Sequence, residues 1–328
     1  DQPRSRGLGD VYKRQIIMGR NPDVSYGTYR LLSFDELWKK SGFDESEHMF
    51  SVRTRSADEE YGNGVHQWYC GMQDAGGVLQ KGPWVGNRFH WYCLFDNEDY
   101  RITKGVKHRF QYDSQVKNGR GYYYPGTPEY KLMATGKNMD DVKVQEPVAP
   151  FNDGLTYTNS ISSNCLAFTT KYADVTDPTI GRTDAYWPFL RYADIVLIYA
   201  EAQCELNDGI SQDAIDALND IRIRSNAKEA SVTGDGAIET KVELRSVIFE
   251  ERAKELAYEG DRRWDLLRWG IYLDVMNSLG GINEDGTRTP YDEGSINKRR
   301  EFRHLLYPLP SLEVSTNMAI DKNNPGWN

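Results

Sequence analysis

Three groups of side chains in this chain have the types and spacing to do chemistry. The first is built from His66 and Cys70, four apart, and His90 and Cys93, three apart, within one aromatic stretch. Two His and two Cys make a donor set for tetrahedral zinc, and separate structural roles are the competing reading. The second is the run Glu251, Glu255 and Glu259, whose i, i+4 spacing puts three carboxylates on one helix face. A glycosidase needs two carboxylates facing each other across a sugar, which neighbours on one helix face cannot provide. Arg252, Arg262, Arg263 and Arg268 lie close by in sequence, so the spacing predicts an inter-helix charge network and nominates no catalytic residue. The third group is aromatic. Trp68, Tyr69 and Trp84 sit among Gly62, Gly64, Gly71, Gly76, Gly77, Gly82 and Gly86, and Tyr122, Tyr123 and Tyr124 lie between Gly121 and Pro125. The C–H faces of sugars stack on such rings, and an aromatic side chain has only two χ angles to freeze. These six are the candidate ligand-binding residues, with core or interface packing as the alternative for each.

No phosphate-cradling glycine loop or dinucleotide fingerprint occurs, nor any Gly-x-Ser-x-Gly elbow, and no cofactor is expected. The 328 residues carry 49 Asp and Glu against 40 Lys and Arg, a net charge of −9. That balance argues against nucleic acid as a partner, because phosphate neutralisation needs clustered cations. No run approaches the ~18–20 apolar residues of a spanning helix.

The elements that must position these groups divide the chain. Gly and Pro crowd residues 61–160 and thin out over 188–279, so a loop-rich, partly β region precedes a helical one. Four helices are predicted. The first covers about 188–206, with Phe189, Ala193, Val196, Leu197, Ala200 and Cys204 on its apolar face. Ser211 caps a second, which buries Ala214, Ala217, Leu218 and Ile221. Thr240 and Glu243 form a capping box for a third, with Leu244, Val247, Ile248 and Leu256 apolar and Gly260 at its end. A fourth runs from Asp261 to about Leu279 with Trp264, Leu267, Ile271 and Val275 in register. Leu306-Tyr307-Pro308-Leu309-Pro310 is predicted extended. The fold class is mainly α, with tetratricopeptide-like helix pairs supporting a loop-rich ligand-facing region, although no strict repeat period is kept. Residues 1–15 stand apart: Asp10-Val11-Tyr12-Lys13-Arg14-Gln15 back-translates to a sequence resembling a transposon-end sequencing adapter, so this stretch is expected to be artefact and the reading frame to begin inside a gene. The expected division is therefore 1–15, 16–187 and 188–328.

Several segments carry a resemblance. Arg191–Ala202 resembles the "RYADVLLMYAEA" helix of the SusD/RagB family of nutrient-binding outer-membrane lipoproteins, and Ala217–Arg224 is similar to its "LNxIRxRA" helix. Glu251–Trp269 resembles "ERxxELxxEGxRxxDLxRW", and Tyr307-Pro308-Leu309-Pro310, Glu313, Asn317 and Asn324-Pro325-Gly326-Trp327 resemble the family's ending. Weaker signals are Glu47–Val52, like "NEIIFSV", and Phe95–Arg101, like "FxxxDxR". The resemblance covers about residues 40–328. It implies a non-catalytic cell-surface protein, lipid-anchored at the outer membrane, that captures oligosaccharides or other nutrients as the lid of a TonB-dependent SusC-like transporter. It also implies export, where Cys70 and Cys93 would form a disulfide, and variable loops at the ligand face. Trp264, Trp269 and Trp327 fall in framework motifs. Two alternatives remain open: a helix-repeat protein-interaction module without a small ligand, and a surface glycoside hydrolase.

Overall fold

Glycine and proline keep the elements short up to residue 191, and the chain becomes long-helical only where they thin out. The computed structural model describes residues 29–42, 46–56, 62–74, 76–77, 79–81, 85, 91, 94–96, 98–107, 168–278, 300–320 and 322–327. Among them, one unit extends to Glu259 and a second begins at Gly260.

In the first unit the short elements are α1 (Phe34–Leu37), β1 (His48–Val52), α2 (Val65–Cys70), β2 (Met72–Gln73), β3 (Leu79–Lys81), α3 (Tyr100–Thr103), β4 (Val106–Lys107), β5 (Phe168–Thr169) and β6 (Trp187–Arg191). The strands pair antiparallel as β1 with β6, β2 with β3 and β4 with β5. Residues far apart in sequence thereby meet, for example His48 opposite Arg191 and Val106 opposite Thr169. Leu32, Phe34, Leu37, Trp38, Val65, Cys70, Tyr172 and Ala185 form the small core beneath them.

Three long helices follow: α4 (Tyr192–Leu206), α5 (Gln212–Arg224) and α6 (Lys241–Glu255). The predicted first helix is four residues too long at its start. Residues 187–191 are strand β6, held by the ladder with β1, and Phe189 is 58% exposed rather than in the helix core. The apolar faces are realised: Ala193, Val196, Leu197, Ala200 and Cys204 of α4 pack with Ala214, Ala217, Leu218 and Ile221 of α5 and Leu244 and Ile248 of α6, but α6 ends at Glu255 with Leu256 as its C-cap, short of the expected end at Gly260. Ser211 accepts from the Ala214 N–H, and Thr240 and Glu243 close the capping box. The α5–α6 loop is sealed by Asn219, whose side chain both accepts from the Ala230 N–H (2.7 Å) and donates to its carbonyl (2.9 Å).

The second unit corrects the fourth helix. It is two pieces, α7 (Arg262–Arg268) and α8 (Tyr272–Ser278), because Gly270 adopts φ +73° and breaks the ladder. The buried residues of α7 are Asp265 and Leu266, and Trp264 is 57% exposed, its ring 6.2 Å from Tyr307. Leu306 is extended as expected, and residues 307–310 are neither helix nor strand, clamped by Asn323 on both the N–H and carbonyl of Leu309, ahead of α9 (Ser311–Thr316). Trp327 is anchored through its indole N–H to the Arg303 carbonyl at 2.8 Å.

Removing the α6 cap orphans the Glu243 N–H, which the Thr240 hydroxyl now satisfies. Thr240→Ala is expected to cost about 1 kcal/mol, read as a lowered denaturant midpoint at constant m-value.

Candidate functional site

The aromatic group meets the structure at α2. Asn63 sets this helix, its carboxamide oxygen accepting from the Val65 N–H (2.8 Å) and its amide donating to Thr54 Oγ1 and the Ala185 carbonyl. The six residues then sort by face. Val65, His66 and Cys70 point inward, while Trp68 is 48% exposed. The indole lies across Gly64, where an added Cβ would come within 2.9 Å of Trp68 Cε2, so the glycine is what lets the ring lie there. The Trp68 carbonyl accepts from the N–H of Val85, itself an exposed apolar residue. Gln67 stands against Gly181 on the neighbouring loop, where a Cβ would meet its Oε1 at 2.7 Å.

Tyr69 parts company with Trp68. Its ring contacts Tyr172 (5.5 Å), Trp187 (6.0 Å) and Tyr258 (5.5 Å), an internal aromatic cluster, and burial pushes its phenol pKa up. Trp84, Tyr122, Tyr123 and Tyr124 lie outside the described residues. So do His90 and Cys93, half of the zinc set and one end of the disulfide. Cys70 is a free thiol that donates to the Thr169 carbonyl (3.1 Å), and burial pushes its pKa up to about 12. His66 uses Nδ1 on the Tyr172 carbonyl (2.9 Å), and its pKa is lowered by burial. Both side chains therefore tie α2 to one backbone segment, residues 169–172. Among the described residues no group of three or more His, Cys, Asp or Glu is arranged to hold a metal.

Glu251 and Glu255 of α6, with Glu259 beyond the helix end rather than on its face, form the expected charge network, but with other partners. Arg191, 1% exposed, donates to Glu47 (2.6 Å), Glu255 (3.0 Å) and Glu259 (2.7 Å). Arg224 reaches Glu255, and Arg222 reaches Glu251 at 2.8 Å. Arg101 bridges Asp99 (2.7 Å) and Glu251, while Lys171 takes Glu259 at 2.6 Å. Of the four arginines nominated from sequence proximity, Arg252 pairs instead with Asp194, Arg263 donates to Tyr272 and the His304 carbonyl, and Arg268 pairs with Asp265. Proximity along one helix failed because the carboxylates face inward, where only cations from other segments arrive. Every segment that carried the resemblance up to residue 259 contributes a charge: Glu47, Asp99 with Arg101, Arg191, Arg222 with Arg224, and the three glutamates.

These observations accord with the comparisons. A family model described as the SusD family matches residues 73–327. The chain belongs to the SusD family. Relatives in Formosa agariphila include SusD-like protein P2, 33% identical over 142 residues, which is 42% of this chain and 25% of that protein. SusD-like protein P38 is 36% identical over 142 residues, again 42% and 25%. The fold is shared with a SusD homolog from Bacteroides thetaiotaomicron (TM-score 0.64, 19% identity, 98% of this chain and 59% of that one). It is also shared with surface glycan-binding protein A from Bacteroides thetaiotaomicron in complex with laminarihexaose (TM-score 0.56, 19% identity, 98% and 60%). The chain thus spans about a quarter of the curated relatives it matches and about three-fifths of these solved SusD-like chains. No helix among its described residues is long and apolar enough to cross a membrane.

Reasoning from sequence missed Asn63, Gly64 as the seat of Trp68, and the 169–172 segment that braces α2. Gly64 was one glycine among seven, and Lys171-Tyr172 carries no periodic or motif signal.

The network has a definite pH signature. At Glu255 burial disfavours the charged form, but Arg224, Arg191 and Arg101 outweigh it and hold the carboxyl below its ordinary 4.5, and Glu251 and Glu259 shift the same way. A lowered folded-state pKa stabilises fully above the unfolded value and loses that contribution as pH falls beneath it. Thermal denaturation across pH should therefore show Tm falling steeply below about 4.5, with Glu255→Gln less stable at neutral pH and shallower in that decline.

Proposed function

We propose that this SusD-family chain captures glycan chains without turning them over and delivers them to a TonB-dependent SusC-like transporter, from a lipid-anchored position on the cell surface. The observation that carries the reading is Trp68: a large ring, half exposed, lying against the N-cap glycine of a helix whose other face is tied down by two side-chain bonds. A ring so held can stack on a pyranose with little ordering left to do. Val85 extends its apolar surface, and Trp84, Tyr122, Tyr123 and Tyr124 belong to the same proposed site. Tyr69 serves it from beneath, as part of the cluster under α2. The absence of catalysis in this reading rests on the carboxylates: Glu251, Glu255 and Glu259 are buried and each is engaged by arginine or lysine, so none of them is available as a general acid.

A second reading, a protein-interaction module, draws on the second unit, where Phe302, Leu306, Tyr307 and Leu312 are all exposed. The two separate in one assay. In affinity electrophoresis through laminarin, with laminarihexaose titrated calorimetrically, the glycan reading expects retardation that Trp68→Ala weakens by about 2 kcal/mol, or about thirtyfold in Kd. Gly64→Ala should weaken it too, by displacing the indole. Binding unaffected by both substitutions would remove Trp68 from the site. Failure to bind any of a panel of soluble glycans would leave the interaction module standing.

A further inference from the structure

One route from the charge network to Trp68 runs through Lys171. Lys171 is buried and donates to the Glu255 carbonyl (2.8 Å), the Ala257 carbonyl (2.8 Å) and Glu259 Oε1 (2.6 Å), with its ammonium 4.7 Å from the Trp38 ring centre. It thereby caps the end of α6, where the last carbonyls lack helical donors. Its neighbours in sequence hold α2. The Thr169 carbonyl takes the Cys70 thiol, and the Tyr172 carbonyl takes His66 Nδ1. The Tyr172 ring stacks on Trp187 (5.6 Å, 11°), and its hydroxyl donates to the Tyr258 carbonyl at 2.8 Å. Residues 169–172 are thus a strap, gripping the buried face of α2 on one side and the end of α6 on the other.

We propose that Lys171 is a positioning residue for the Trp68 surface: it fastens the strap to α6, and the strap fixes the orientation of α2. The ligand in this statement rests on the glycan reading above, whereas the mechanical link rests on the contacts alone. Lys171 touches no ligand itself. It acts by suppressing local opening of a six-residue helix that is too short to persist unaided.

Lys171→Met tests this with little collateral damage. Glu259 keeps both of its bonds from Arg191, the Glu255 carbonyl keeps its contact with Arg191 (3.3 Å), and a methionine still covers Trp38. Hydrogen exchange on the full chain should show the α2 amides, including the Trp68 N–H bonded to the Gly64 carbonyl, opening about tenfold faster, with α4 and α5 at wild-type rates. Laminarihexaose affinity should fall in parallel by about tenfold. If Lys171→Met does not fold, Tyr172→Phe removes only the hydroxyl link to Tyr258 and is read the same way. Unchanged α2 exchange, equal acceleration throughout the chain, or faster α2 exchange at undiminished affinity would each overturn the proposal. A wild-type chain that binds no glycan defeats the functional reading and the ligand half of this one, while the exchange data still decide the strap.

Discussion

A guanidinium buried among three carboxylates sets the terms for the first unit. Arg191 is placed where β6 turns into α4, and its donors reach Glu47 next to β1, Glu255 at the end of α6 and Glu259 just beyond it. Removing such charges from water costs several kcal/mol each, and the cost is recovered only if every donor and acceptor is met with good geometry. That condition turns the network into a specification. Arg224 and Arg101 must arrive at Glu255 and Glu251 for the remaining lone pairs to be filled, and Glu47 must also accept from the Leu32 N–H (2.7 Å). A strand pair, a short helix and three long helices are therefore locked in one relative arrangement by electrostatics, while the apolar core of α4, α5 and α6 supplies the bulk of the burial.

The proposed glycan surface lies at the margin of this arrangement. The helix carrying Trp68 is too short to be stable by itself, and among the described residues two strand pairs of two or three residues, β2 with β3 and β4 with β5, accompany it in the loop-rich region besides the β1–β6 ladder. Its precision is borrowed. Lys171 and Tyr172 hand the rigidity of the α6 terminus to His66 and Cys70, and so to the one exposed ring between them. His66 and Cys70, half of the His and Cys donor set, serve here as hydrogen-bonding anchors to the 169–172 backbone.

What could be read ahead of the structure followed physical locality. The caps at Ser211 and Thr240 depend on residues three apart, and both formed as expected. The apolar faces of α4, α5 and α6 follow from 3.6-residue periodicity, and they pack as expected. The misjudged boundaries at 188 and 270 are places where a distant ladder partner or a left-handed glycine overrode that periodicity. In the site, the aromatic types and their glycine-rich setting were visible, but Trp68 and Tyr69 were indistinguishable as neighbours in sequence.

The helical class, the family and a charge network around Glu251, Glu255 and Glu259 are legible in the residues, because periodicity, capping and ordered motifs are properties of short segments. Which cations meet those glutamates, and which aromatic faces solvent, depends on packing across the fold. Arg101 and Glu251 are 150 residues apart and Lys171 and Glu259 are 88 apart, and a pairing across such distances is set by how whole elements pack. The same packing turned Tyr69 inward and left Trp68 out.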